Sequence, residues 1–354
     1  IAKPAPAFGL VTDATLDDFR FGIGVSLPML DGATWKATYE GRPSSTRYYA
    51  EAARLGKFVI HGSAAYRIAP WLSVGLGVDV YGVMLKHQVR TDFGAKINQM
   101  ACASNPASCS LAAPLARENP AFDAETNLDG LGWGVGASAG VLLTPRPWLR
   151  IGAGLHTGAG TVTVPTDLSV DLPQAVVDYV RQNLPSVGLP ALSAEGDVEI
   201  TTPITLTFGV SVMPTPRLEL VFDLHWMNTS STALMIGTIT KDQSSGLIGD
   251  QVLVKARSDA LLMGLRGSYR ILQKLVVALR FEYDKNTRPD AFLSPISVDF
   301  HRFSLHLGAS WRFSRYLLLT FEYGHYFMPT RNISASLFAP NANPTTPEEE
   351  GLDK

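Results

Sequence analysis

The stretch GWGVGASAGVLLTPRPWLRIGAGLHTG, from Gly132 to Gly158, restricts the folds open to this chain more than any other. Trp133, Val135, Ala137, Ala139, Val141 and Leu143 are apolar, while Gly132, Gly134, Gly136, Ser138 and Gly140 between them are small or polar. After Pro-Arg-Pro the pattern resumes, with Leu149, Ile151, Ala153 and Leu155 set against Arg150, Gly152, Gly154 and His156. A period of two means extended strand with one greasy face. Two such runs joined by a short proline turn form a hairpin. Its second face is floored with glycine, where a solvated surface would carry Lys and Glu.

The alternation recurs. Apolar phases start at Phe19, Phe58, Leu72, Ile204, Leu218, Leu261, Leu275, Phe303 and Leu317, which with the two runs above makes eleven strands, and APAFGLV near the start supplies a twelfth. Their length suits the ~9–11 residues with which a tilted strand crosses a bilayer. Short turns fall near Pro70, Pro145, Pro214, Gln273 and Ser314, and long connections span 29–56, 91–129, 164–197, 228–257 and 285–299. Short turns on one side and long loops on the other are the layout of a transmembrane antiparallel β-barrel of the outer-membrane type. Nothing in a soluble β-sandwich, the competing fold, requires loops to be sorted this way.

The two folds assign opposite solvents to the greasy face. Charged residues are 18% of the chain, below the usual quarter. The apolar phase holds no Asp, Glu, Lys or Arg, whereas the other phase holds Arg67, Asp79, Arg150, Glu219, Asp223, Arg266, Arg270, Arg280, Glu282, Arg302, Arg312 and Glu322. Their mixed signs suggest a lumenal ion-pair network. Trp71, Trp148, Tyr269, Trp311 and Tyr316 lie by the short turns, with Trp226, Tyr283, Tyr323 and Phe327 toward the long loops, as in two interfacial girdles. The greasy phase therefore meets lipid, and since lipid satisfies no backbone hydrogen bond the sheet must close around a lumen. No apolar run approaches the ~20 residues of a membrane helix.

Other function classes find little support. A net charge of -2 gives no electrostatic footprint for nucleic acid. No signal peptide is visible at IAKPAPAFG. His61, His156, His225 and His306 lack metal-ligand spacing, no cofactor motif is present, and Gly152-Ala-Gly154 lies within a strand instead of opening a phosphate-binding helix. No catalytic arrangement emerges, so the chain is not expected to be an enzyme. Cys102 and Cys109, in CASNPASC, favour a local disulfide over a metal site or catalytic thiol, and so an oxidising compartment.

The segments FRFGIGVSLPMLDG, GSAAYRIAPWLSVGLGVDVYG, GWGVGASAGVLLTPRPWLRIGAGLHTG and FEYDKNTRPDAFLSPISVDFHRFSLHLGASWRFS resemble the long-chain fatty acid transporter family of the bacterial outer membrane, which includes aromatic hydrocarbon channels. The resemblance runs through essentially the whole chain. It implies a fourteen-stranded barrel plugged by an N-terminal hatch, a greasy groove between outer loops, a tighter lumenal site, and sideways release at a kinked third strand. On that alignment residues 1–354 form one barrel domain, incomplete at both ends and lacking the hatch and the terminal strands. The implied partners are a hydrophobic small molecule and outer-membrane lipid or lipopolysaccharide, with a monomeric barrel.

Three sets of residues become candidates. Pro28 lies in the strand matching the kinked one, and proline cannot donate to a ladder; it either opens the wall locally or simply ends the strand before MLDG. In DLPQAVVDYVRQNLPSVGLPAL, Leu172, Val176, Tyr179, Val180 and Leu184 fall near helical spacing after Asp171 as a cap and Pro173 at the start. That helix either forms one wall of a substrate groove, with Ile97 and Met100 opposite and pinned by Cys102–Cys109, or packs over the barrel mouth. Lys86 and Arg90 are the candidate cations for a carboxylate head group. The rival functions are a general polar-solute porin and a non-transporting barrel for adhesion or assembly.

Overall fold

A computed structural model describes residues 7–34, 38–39, 42–44, 47–48, 51–104, 119–183, 193–232, 234–242, 251–254, 257–293, 299–314 and 317–333. The strands are β1 (Ala7–Thr12), β2 (Phe19–Thr34), β3 (Thr38–Tyr39), β4 (Arg42–Pro43), β5 (Ala52–Ala69), β6 (Leu72–Asp92), β7 (Asp123–Arg146), β8 (Leu149–His156) and β9 (Gly160–Asp171). They continue as β10 (Ser193–Thr202), β11 (Thr205–Thr215), β12 (Leu218–Met227), β13 (Leu234–Asp242), β14 (Gln251–Val254), β15 (Ala260–Leu272), β16 (Leu275–Asp284), β17 (Arg302–Arg312) and β18 (Leu318–Phe327). Two helices, α1 (Phe93–Ser104) and α2 (Gln174–Asn183), lie in the long connections.

One sheet of sixteen strands dominates, with β1-β2-β5-β6-β7-β8-β11-β12-β15-β16-β17-β18 as its continuous antiparallel path. These are the twelve strands expected from the alternation. The other four, β9, β10, β13 and β14, fall in connections read above as loops. They pair in that order outward from β7. The short β3–β4 ribbon stands apart.

The exposure pattern identifies the outer face. On β6, Leu76 and Val78 are 70% and 55% exposed, while Asp79 and Tyr81, in the opposite phase, are 2% and 5% exposed. On β7, Trp133 and Val135 are exposed while Gly132 is buried. The wall thus turns its greasy phase outward and its charge inward. Trp71, Trp148, Tyr269 and Trp311 are all exposed on that greasy face beside the short turns.

Glycine explains how the lumen is filled. β7 divides its pairing: Ser138 to Arg146 face β8, and Glu125 to Gly130 face β9. Between β8 and β9 the chain turns inward at Gly158 and Gly160, both at φ +65°, a conformation that strains any residue with a Cβ. β9 then crosses the lumenal face of β7. A Cβ on Gly132 would lie 2.6 Å from the Thr163 carbonyl oxygen, and one on Gly136 only 2.0 Å from that of Gly158. Val162, Val164, Val198 and Ile200 of β9 and β10 pack against Val83, Leu55 and Leu85. In this hairpin the apolar phase is buried, and Glu195 and Glu199 are exposed. It follows the soluble rule inside a wall that inverts it.

Candidate functional site

At the outer mouth α1 and α2 meet. The Asp92 carboxylate accepts the Ala95 N–H and caps α1. α2 starts from Pro173, whose carbonyl accepts the Val176 and Val177 N–H groups. Asp171, expected as the cap, is instead the last residue of β9, opposite Glu125. Phe93, Ile97, Phe122, Ala124, Val176 and Val180 bury one another, with Leu172 and Tyr179 packed alongside. The Tyr179 ring meets Phe122 edge-on at 5.8 Å between centroids. The structure therefore brings Ile97 together with Leu172, Val176, Tyr179 and Val180, as a closed apolar seam and not an open trough. Leu184, Cys109 and the side chains of Met100 and Cys102 lie outside the described residues.

A polar cluster braces the base of the seam. Arg47 Nε donates to Asp123 at 2.7 Å, and the Tyr48 hydroxyl donates to the same carboxylate at 2.7 Å, all three residues being buried. Burial and the Asp123 carboxylate push the Tyr48 phenol far above its ordinary value. On α1, burial draws the Lys96 ammonium below the usual lysine range.

Each of the two candidate head-group cations has a carboxylate partner. Lys86 lies 3.4 Å from Asp129, its direct cross-strand partner on β7. Arg90 bonds Glu51 at 2.9 Å and Glu125 at 3.1 Å. These pairings are hidden in the sequence because the partners lie far along the chain.

Deeper in the lumen Asp79 is gripped by His61 Nδ1 at 2.5 Å and His156 Nδ1 at 3.2 Å, and the Tyr81 hydroxyl donates to it at 3.3 Å. His61 is the β5 partner of Asp79, but His156 reaches across β7. Gly136, opposite Asp79 on β7, carries no side chain to obstruct it. The grip thus ties β5, β6 and β8 where β9 departs. Toward the short turns lies an open hollow of about 500 Å3, lined by Gly75, Gly140, Gly152, Gly154, Thr207 and His225 among others.

On the far wall Arg280 makes ion pairs of the expected kind, with Asp223 at 3.1 Å and Glu282 at 2.8 Å, and His306 lies 3.1 Å from Glu282 and 2.9 Å from Glu322. Among the described residues no group of three or more His, Cys, Asp or Glu is placed to hold a metal ion.

The ladder between β2 and β5 has one irregularity. β2 runs on through Pro28 to Thr34, so Pro28 does not end the strand. Ser26 pairs with Val59 and Met29 with Lys57, leaving one extra β2 residue at Leu27–Pro28. This one-residue bulge shifts the register and exchanges the two phases beyond it.

A greasy outer face with exposed aromatics, a lumen of ion pairs and a capped outer mouth define a transmembrane β-barrel of the outer-membrane type. The chain belongs to the outer membrane transport protein family (OMPP1/FadL/TodX), which it matches over residues 3–339. Its fold is similar to that of a Pseudomonas aeruginosa FadL homologue, with TM-score 0.73 and 18% identity over 92% of this chain and 70% of that one. It is also similar to the Ralstonia pickettii toluene transporter TbuX (TM-score 0.59, 19% identity, 90% and 74% covered). The Pseudomonas putida toluene transporter TodX gives TM-score 0.57 and 18% identity, with 88% and 74% covered. No curated protein matches the chain by sequence.

Proposed function

We propose that the protein carries hydrophobic small molecules, long-chain fatty acids or aromatic hydrocarbons, passively across the bacterial outer membrane. The carrying observation is the apolar seam between α1 and α2. A cluster of Phe, Ile, Val and Tyr side chains at the end of a barrel that faces water is a place where an apolar solute can leave water, gaining about 25 cal/mol per Å2 buried. Opening the seam exchanges contacts of the two helices for contacts with the solute. Below it the solute meets the lumen, and the bulge at Leu27–Pro28 is the outlet toward lipid. No step in this path consumes an energy source. Toluene transport by two of the structural relatives is consistent with this solute class.

Two measurements on the full chain test the reading. Cells carrying it should accumulate labelled oleate or toluene faster than cells without it, and Val176→Ser with Val180→Ser should change that rate. In planar bilayers the same protein should pass little steady current, because β9 and β10 fill the outer lumen. Large steady conductance with no gain in apolar uptake would instead make it a polar-solute porin. Neither current nor uptake would make it a non-transporting barrel.

A further inference from the structure

Lys86 and Arg90, the expected head-group cations, both have carboxylate partners. A different lysine meets the requirement. Lys57 stands on β5 directly opposite Met29, the first β2 residue to regain register after the bulge. It shares the lumenal phase of β5 with His61 and Leu55, and its Nζ lies 5.2 Å from the centre of the Tyr81 ring. It is partly buried, and among the described residues no ion pair includes it. Asp79 acts on it electrostatically without reaching it, and both Asp79 oxygens are already engaged by His61, His156 and Tyr81.

We propose that Lys57 receives the carboxylate of an amphiphile beside the β2 bulge and selects anionic long-chain substrates over neutral hydrocarbons. This assignment rests on the uptake reading above. A cation drawn partly out of water and lacking a counter-ion gains from an incoming carboxylate, and the charged hydrogen bond so formed is stronger than a neutral one. The register shift places that cation beside the one interruption of the β2–β5 ladder. A carboxylate held at Lys57 lets the alkyl chain pass between β2 and β5 at the bulge, between the Ser26–Val59 and Met29–Lys57 pairs. Outside the bulge it meets the exposed lipid-facing side chains Val25 and Ile60. A neutral hydrocarbon makes no use of the lysine.

The test compares binding and uptake of oleate with those of methyl oleate, which has the same chain without the charge. The variants are Lys57→Met and Lys57→Arg in the full chain. Heat-modifiable gel mobility of each purified variant verifies that the barrel has formed. Lys57→Met should weaken oleate binding about tenfold or more and leave methyl oleate unchanged, and Lys57→Arg should restore oleate binding. Equal loss for both ligands, or no change for either, overturns the role of Lys57 while leaving the uptake reading intact. If the parent protein takes up neither ligand, the uptake reading itself fails. Should Lys57→Met not fold, Lys57→Arg and a salt titration of oleate binding to the parent decide. Oleate binding that is insensitive to salt, when methyl oleate is bound equally well, overturns the proposal.

Discussion

Replacing Gly136 by alanine tests the arrangement that fills the outer lumen. The added Cβ would stand 2.0 Å from the Gly158 carbonyl oxygen and 2.7 Å from its carbon, where ordinary contact starts at 3.4 Å. Both obstructing atoms are backbone, so no side-chain rotation relieves the overlap and β9 must retreat. Overpacking of a filled interior costs roughly 1–3 kcal/mol, and an overlap with fixed backbone belongs at the upper end. Retreat also loosens Val162 and Val164, which are among the most buried side chains of the chain, adding part of the roughly 1.5–3 kcal/mol that each buried valine contributes. We therefore expect Gly136→Ala to lose about 3 kcal/mol, read as a lower urea midpoint for protein folded into lipid vesicles. Gly152→Ala is the matched control: it is also lumenal, yet its Cβ meets nothing nearer than 3.8 Å, so its midpoint should stay within about 0.5 kcal/mol of the parent. Gly160→Ala separates conformation from space, since Gly160 sits at φ +65° with nothing within 4 Å; the left-handed backbone alone should cost about 1–2 kcal/mol. If Gly136→Ala behaves like Gly152→Ala, β9 does not cross the glycine floor and the filled lumen is wrong.

Arg47→Met should strand the buried Asp123 carboxylate and cost about 3–5 kcal/mol, detected as protease cleavage of the outer loops at lower urea. Tyr48→Phe removes one donor to the same carboxylate and should cost about 1–3 kcal/mol in that assay. Burial lowers the folded-state pKa of Lys96, so the unfolded chain binds more protons over the interval below the ordinary lysine value of 10.5. Stability from this group should therefore be fully present above that value and decline as pH falls through the folded-state value. Lys96→Met should remove that slope from urea midpoints measured across alkaline pH and raise the midpoint at neutral pH. On the greasy face, Leu76→Arg should cost about 2–4 kcal/mol in vesicle folding, as expected for a charge near the bilayer midplane.

The wall was legible because its inversion of the usual rule leaves a two-residue period with charge confined to one phase. The short turns and the alternation from Phe19 to Tyr326 placed eleven strands, and APAFGLV a twelfth before them, which the sheet contains in that order. The filling hairpin was harder to see. Val162, Val164 and Leu168 alternate with Thr161, Thr163 and Asp167 as clearly as any wall strand, but Pro165 interrupts the run and argues against a strand that needs every N–H. Pro165 is tolerated opposite Asp197 on β10. The α2 helix was readable from its valine and tyrosine spacing, and it begins at Gln174, one residue after the expected start at Pro173. The α1 helix has one clear signal, Asp92 before an apolar pair at Phe93 and Ile97, which is easily lost beside Gly94. The pairing of Lys86 and Arg90 could not be read, because cross-strand partners are fixed by register and not by distance along the chain. The same holds for Lys57, whose interest comes from lying opposite a register shift.

The central claim is the assignment of the two faces, and lipid accessibility measures it most directly. Nitroxide labels placed singly at Leu76, Val135, Leu279 and Phe321, all exposed on the greasy phase, should collide with oxygen dissolved in the bilayer and be shielded from a water-soluble nickel chelate. Labels at Ser138 and Thr207, on the lumenal phase, should not show the oxygen signature. Oxygen contact at Ser138 and Thr207 with shielding of the leucine and phenylalanine positions from both reagents would mean a greasy interior between packed sheets, contradicting the barrel and the transport built on it.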